Sequence, residues 1–360
     1  MPIQRNLIID FVRGLVILDM MLVHYSDWFD EVRLGGLGKA IRYTDFAVEG
    51  FVLLAGFIVG SRYLDKFKAD KALVIRNLLR RVAGIVGIQY IMIVTLSVPV
   101  ALIVGGTLTG QDSVMQFAAK SFMFLNQVPL LHILPTFIPL FLLSVPLLYA
   151  LNRDLDAIVI GLSVCVFALG QWQPYLPLGL AVNSIFPPIL WQVYFVLGAL
   201  LGKHQREVEE FLRRYGKRNL LVAFCACVTM VFVYHGHHVI VWWGELLLRN
   251  QLVVRKFPLN WLGLLYHGSI LYLVVSGTAV AWNALKRHDA VLSSVSSLGR
   301  NSLVIFIIHV YVCFILSYLF HQALPIALCL IVLNIAGSFW IARALNGKSS
   351  FPEATTLSHG

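Results

Sequence analysis

Charge is scarce in this chain, and negative charge scarcest: 18 Asp and Glu stand against 28 Lys and Arg in 360 residues, and only 13% are charged. Soluble domains carry about a quarter charged and about half apolar residues. Here 59% are hydrophobic and mean hydropathy is +0.80, which excludes a soluble globular fold. Cysteine is sparse as well. Cys165, Cys225, Cys227, Cys313 and Cys329 all lie inside apolar runs, where a thiol behaves as a small hydrophobe. No disulfide framework or zinc site follows from that placement. The chain has no glycine-rich phosphate loop, no nucleophilic serine motif and no metal-ligand set. Met1–Arg5 is short, and the first apolar run is charged and has no small-residue cleavage site, so no cleavable leader is expected. No inverted-repeat halves are evident, which disfavours a transporter. The net charge of +10 would invite nucleic acid in a soluble protein. In a membrane protein excess Lys and Arg belong mostly to cytoplasmic loops, and nucleic-acid binding is set aside.

What the chain does have is about ten apolar segments near bilayer-spanning length, at roughly 7–25, 46–63, 83–104, 133–151, 157–172, 187–202, 220–235, 262–285, 302–321 and 324–344. They predict an all-α polytopic transmembrane bundle. Residues 1–345 form a single domain, and 346–360 a polar, disordered cytoplasmic tail. With the N-terminus cytoplasmic, 20 of the 28 Lys and Arg fall on the cytoplasmic side and 7 on the other, Arg13 lying in the membrane. That asymmetry places both termini inside.

The first run, Ile8 to Tyr25, is long enough to span yet carries Asp10, Arg13, Asp19 and His24. A charged group at bilayer depth costs at least about 2.5–3.5 kcal/mol, so it faces a partner or a wet cavity. At about 100° per residue, Arg13 and His24 fall within about 20° of each other, and Asp10 lies about 60° from Arg13 on the same side. Ile17 and Met20 fill the stripe between them, and Asp19 points elsewhere. At a rise of ~1.5 Å per residue the arginine and histidine stand ~16 Å apart along the axis. The plainer reading is a neutralised Asp10–Arg13 pair with a hydrogen-bonded histidine. The functional one is a polar stripe serving a reaction, and it is favoured.

In the second span Glu49, Gly56 and Gly60 share a face, with Asp45 one turn before Glu49. Gly56-x-x-x-Gly60 signals close helix packing, whereas an intramembrane Glu49 would suit Arg13 or His24. Loop 62–82 is basic, with Arg76, Arg80 and Arg81 at the mouth of the third span. Positive-inside signalling and anionic-lipid contact explain it as readily as an anion site whose forked donors suit phosphate. His132 sits near the outer surface, lining an acceptor site or resting among headgroups. Trp191 suits the interface belt, and Gln192 is an uncommon intramembrane amide. Segment 203–218 reads as a cytoplasmic amphipathic helix on the membrane surface. His235, His237 and His238 have no carboxylate at ligand spacing, so metal is not expected there. His267 and His309 lie inside spans, as pore-lining or as satisfied core residues. Arg300 and Asn301 mark a helix start before the ninth span.

Assembled in order, these residues resemble the OpgC-type membrane acyltransferases, a branch of the acyltransferase-three superfamily. Asp10-Phe-Val-Arg13-Gly14 with His24 is similar to the family's Arg-x10-His first helix, and Asp45, Glu49 and the run to Gly56 to its second-helix signature. HILPTFIPLFLLSVPLL from His132, PPILWQVYFVLGALLG from Pro187 and LGRNSL from Leu298 resemble later motifs. Asn77 stands where relatives often carry a further arginine, and Thr136-Phe137 replaces the usual Leu-Tyr. The resemblance implies a multi-pass protein of the bacterial inner membrane. It would transfer an acyl group, succinyl or acetyl, from a cytoplasmic acyl-CoA to a carbohydrate hydroxyl outside. A hydroxyl acceptor needs a base, and histidine titrates near neutrality. His24 is the expected base or transient acyl carrier, with Glu49 orienting it and Arg13, balanced by Asp10, positioning the thioester. Arg76, Arg80 and Arg81 would grip the donor's phosphates, and Asp45, His132, Trp191 and Gln192 the acceptor. No permanently bound cofactor or metal is expected, and membrane lipid is a partner throughout. The alternatives are a related transmembrane sugar acetyltransferase, with the same Asp-x-x-Arg-Gly first helix, and a non-enzymatic glycan or lipid transporter.

Overall fold

The structure, a computed structural model, describes residues 7–28, 38, 41–103, 113–124, 130–131, 133–172, 186–235, 256–319 and 324–348. Among these residues the fold is all-α, without strands beyond an isolated bridge between Lys256 and Leu259. The helices are α1 (Leu7–Trp28), α2 (Ala47–Ile58), α3 (Leu64–Ala69), α4 (Lys71–Met92), α5 (Val98–Ile103), α6 (Val114–Phe122) and α7 (Ile133–Leu151). After them come α8 (Asp156–Trp172), α9 (Pro188–Lys203), α10 (Gln205–His235), α11 (Trp261–Leu285), α12 (Asp289–Arg300), α13 (Ser302–Leu319) and α14 (Leu324–Lys348). Single π-turns at Val59–Tyr63 and Ile93–Ser97 join α2 to α3 and α4 to α5.

Among the described residues six helical stretches are long and apolar enough to cross a bilayer, and seven if the bent pair α12–α13 counts as one span. The chain is therefore a multi-pass membrane protein. The other three apolar segments of the sequence are helical too. The α8 and α9 helices have 17 and 16 residues, and α1 has length but carries Asp10, Arg13 and Asp19.

Two compact units divide the chain: residues 1–47 with 277–360, and residues 48–276. In the first, α1 lies against α12, α13 and α14. Lipid tails are as apolar as leucine, so membrane helices associate through close packing rather than hydrophobic burial. Glycine permits it here: a Cβ on Gly14 would collide with the Val295 carbonyl, and one on Gly299 with the Asp10 carbonyl. Phe11, Leu292 and Val295 pack beside that contact with Leu7, Leu15 and Trp282. Between the expected eighth and ninth spans the structure has a further helix, α12. Serines interrupt its apolar residues, yet Leu292, Val295 and Leu298 recur at helical spacing and are buried. As the helix-start signal at Arg300 and Asn301 predicts, α13 begins at Ser302; α12 ends at the same place, and the two helices meet there at 81°. The α14 helix runs through Lys348, so 346–348 are helical, and the rest of the expected tail lies outside the described residues.

In the second unit α9 packs against α2 and against its π-turn, α7 and α8, while α4 packs against α7. The Gly56–Gly60 face finds its counterpart in Gly198 and Gly202 of α9. Gly56 abuts the Phe195 carbonyl, Gly60 that of Ala199, Gly198 that of Leu53 and Gly202 that of Phe57. A break at Tyr215 inside α10 (φ −116°, ψ 16°) lies three residues before Arg218, where the sequence ends the charged segment ahead of the apolar span.

Candidate functional site

The polar stripe of α1 is assembled in the first unit. Ile17 and Met20 are buried, as the helical spacing requires, and Arg13 and His24 are half-buried at either end. Asp10 is 3% exposed and accepts a hydrogen bond from Arg300 Nε at 3.2 Å, which ties α1 to the break between α12 and α13. Asn301 holds the break itself: its amide donates to the carbonyls of Ser297 and Ala342 and to Asn346 Oδ1. Asp19, the acid off the stripe, accepts from the Phe46 amide at 2.8 Å, and Asp45 accepts from the Ala47 amide at 3.0 Å. Both carboxylates thus cap the start of α2. Capping is what sequence reasoning overlooked in them, although a short acid just before an apolar run is its usual sign.

His24 has a neighbour that its spacing could not reveal. Its Nδ1 lies 3.1 Å from Nε2 of His309 on α13, the ring planes 10° apart and the centroids 5.3 Å apart. His309 is fully buried, and its Nδ1 faces Asn334 Oδ1 of α14 at 3.3 Å. The Tyr25 hydroxyl donates to the same Oδ1 at 2.8 Å, and its ring meets the His309 ring edge-on. Cys313, one turn along α13, places Sγ 3.3 Å from His309 Nε2 and 3.7 Å from Nδ1. The donor atoms of His24, His309 and Cys313 lie within 4.8 Å of one another.

The second unit contains Glu49, which is 0% exposed. Lys256 Nζ stands 3.1 Å from its Oε2 and His267 Nδ1 3.9 Å from Oε1. Nearby, the Tyr194 hydroxyl donates to the Leu264 carbonyl at 2.9 Å. Trp191 is fully buried between Phe186 and Tyr194 rather than at a surface belt. Gln192 is committed to packing: it donates from Nε2 to the Ser163 carbonyl and accepts the Ser163 hydroxyl, each at 2.8 Å. Thr136, one of the departures from the family pattern, is buried and donates to the Phe186 carbonyl at 2.8 Å. Arg76, Arg80 and Arg81 lie exposed along α4, whose start Asp70 caps, and the Arg81 guanidinium sits 4.6 Å above the Phe141 ring. His132, His237 and His238 lie outside the described residues.

At the end of α9, beyond its apolar segment, Lys203 donates to Asp154 at 2.8 Å and to Asp156 at 2.7 Å, and His204 meets Asp156 at 2.8 Å. Burial pushes the Asp156 carboxyl up, but the bonds from Lys203 and His204 outweigh it and hold the carboxyl below the ordinary carboxylate range. Burial likewise opposes the Lys203 ammonium, and the two aspartates outweigh it, raising that group. The cluster joins the 152–156 turn to the start of α10.

Comparison with known proteins gives one family model, described as OpgC protein, which matches residues 5–348. No curated protein and no solved structure matches the chain.

Proposed function

The chain belongs to the OpgC family, and from that membership we propose that it is an integral-membrane O-acyltransferase. It takes an acyl group, succinyl or acetyl, from a cytoplasmic acyl-CoA and delivers it to a hydroxyl of a periplasmic glycan. The proposed setting is the bacterial inner membrane, with ten spans and both termini cytoplasmic. The observation that carries the reading is His24: a half-buried imidazole on the charged first helix, hydrogen-bonded to a second, buried imidazole. The neighbouring ring fixes the orientation of an imidazole that titrates near neutrality, as a general base requires.

The step balances on this chain's own groups. The His24 imidazole takes the proton of the sugar hydroxyl as that oxygen bonds to the thioester carbonyl carbon. The C–S bond breaks, the sulfur leaves, and the imidazolium returns the proton to it. Arg13 is placed to steady the thioester oxygen or an acyl carboxylate. Arg76, Arg80 and Arg81, exposed and forked, suit the donor's phosphates.

Purified protein in detergent, given succinyl-CoA or acetyl-CoA with a glucan oligosaccharide, is expected to release CoA and yield an acylated sugar detectable by mass spectrometry. Failure with both donors, alongside glycan flux across sealed vesicles containing the protein, would replace the enzyme with a transporter.

A further inference from the structure

We propose that His309 is a positioning residue for His24, and that the chain Asn334–His309–His24 holds His24 in the tautomer protonated at Nδ1, leaving Nε2 as the proton acceptor. The inference rests on the catalytic reading of His24 and deepens it.

The contact is a head-on hydrogen bond. A ring nitrogen lies about 1.15 Å from the centre of its imidazole, so two rings separated by a 3.1 Å N···N contact can have centres at most about 5.4 Å apart. The observed 5.3 Å nearly reaches that limit, and only a collinear arrangement does so. With planes 10° apart the two rings lie almost in one plane, nitrogen to nitrogen, and their faces do not overlap.

Such a contact holds one proton between the two nitrogens, and the far end of the chain decides whose it is. Asn334 Oδ1 already accepts the Tyr25 hydroxyl at 2.8 Å and faces His309 Nδ1 at 3.3 Å. An oxygen can only accept, so Nδ1 of His309 carries the proton and its Nε2 offers a lone pair. The shared proton therefore belongs to His24 Nδ1, and Nε2 of His24 keeps its lone pair. The tautomer of one ring nitrogen is set by the bond the other makes, and free imidazole side chains in water prefer the opposite form. The Tyr25 ring packs against His309 at 88°, centroids 5.1 Å apart, which restrains the His309 ring.

A metal shared by His24, His309 and Cys313 is the competing reading of the same atoms. Its geometry is poor: both facing ring nitrogens are spent on each other. Cys313 Sγ, at 3.3 and 3.7 Å from the two nitrogens of one ring, sits beside that ring rather than along either lone pair.

The test uses the full chain in detergent with ¹⁵N-labelled histidine, reading the His24 tautomer from long-range ¹H–¹⁵N correlations assigned by their loss in His24→Gln. Native protein is expected to show His24 protonated at Nδ1. His309→Gln and Asn334→Asp each keep an accepting oxygen and should preserve that form. His309→Phe and Asn334→Leu should shift His24 towards the Nε2–H form and lower kcat roughly tenfold or more at unchanged KM, as loss of an orienting partner does. Should His309→Phe fail to fold, Asn334→Leu against Asn334→Asp makes the same comparison. Native His24 protonated at Nε2, a tautomer indifferent to both disruptive variants, or stoichiometric zinc whose removal by phenanthroline abolishes the His24–His309 coupling would each overturn the proposal. Full turnover in His24→Ala would instead remove the catalytic reading and leave the tautomer result standing.

Discussion

In the first unit the buried polar residues Tyr25, His309 and Asn334 reach the half-buried His24 through bonds between groups that carry no formal charge when the rings are neutral. In the second, Glu49 faces Lys256 and His267, and the interaction at its centre is an ion pair. The two solve the cost of polar atoms at bilayer depth differently. A neutral chain is satisfied member by member, so loss of one link leaves little charge stranded and the penalty falls on whatever the chain positions. A charged pair is satisfied only as a pair. Losing one partner leaves an uncompensated charge where desolvation is most expensive. Function should therefore be fragile in the first cluster and stability in the second.

The sharpest contrast is His24→Ala. It is expected to lower acyl transfer by roughly 10²–10⁴-fold, the worth of a general base, while thermal unfolding in detergent stays near that of the native protein. A comparable loss of melting temperature would show the first cluster to be as structural as the second.

Lys256→Met should do the reverse at the protein level, costing roughly 3–5 kcal/mol of stability because Glu49 keeps its charge without the ammonium. The double variant Lys256→Met with Glu49→Gln should regain most of that. Unfolding curves that leave single and double variants equal would mean that Glu49 is compensated without Lys256.

Arg80→Ala, on exposed α4, should touch neither cluster. It is expected to raise the apparent KM for acyl-CoA several-fold with kcat nearly unchanged, since it would grip a non-reacting part of the donor. Unaltered donor affinity would return the arginines to topology and lipid contact.

The smallest effect is expected at the solvated cluster of Lys203. The Asp156 carboxyl is held below its ordinary value, so its contribution is present above the unfolded carboxylate range and lost as pH falls through the folded value. Lys203 is raised, so its contribution is present below the unfolded lysine range and lost as pH rises through its own folded value. Stability should be flat between those limits. Asp156→Asn should weaken the acid limb without changing the neutral plateau, which melting curves from pH 3 to 7 would show.

Local composition was enough to establish the helical class, the apolar segments, the polar stripe of α1 and the Gly56–Gly60 face, because helical period and residue type are properties of neighbours in sequence. The break at Tyr215 also lies close to a change of composition. The α12 helix is obscured by serines between its apolar positions, and no spacing along the chain pairs Gln192 with Ser163 or Trp191 with Phe186. His24 was identified by its place on a charged helix, but its partner is 285 residues away in sequence, and the Asn334 that orients that partner is 309 residues from Tyr25. A single sequence records that these residues are polar inside apolar helices. Only the packing of α1, α13 and α14 decides which nitrogen meets which, because the direction of a hydrogen bond depends on distances and ring planes that no spacing along the chain encodes.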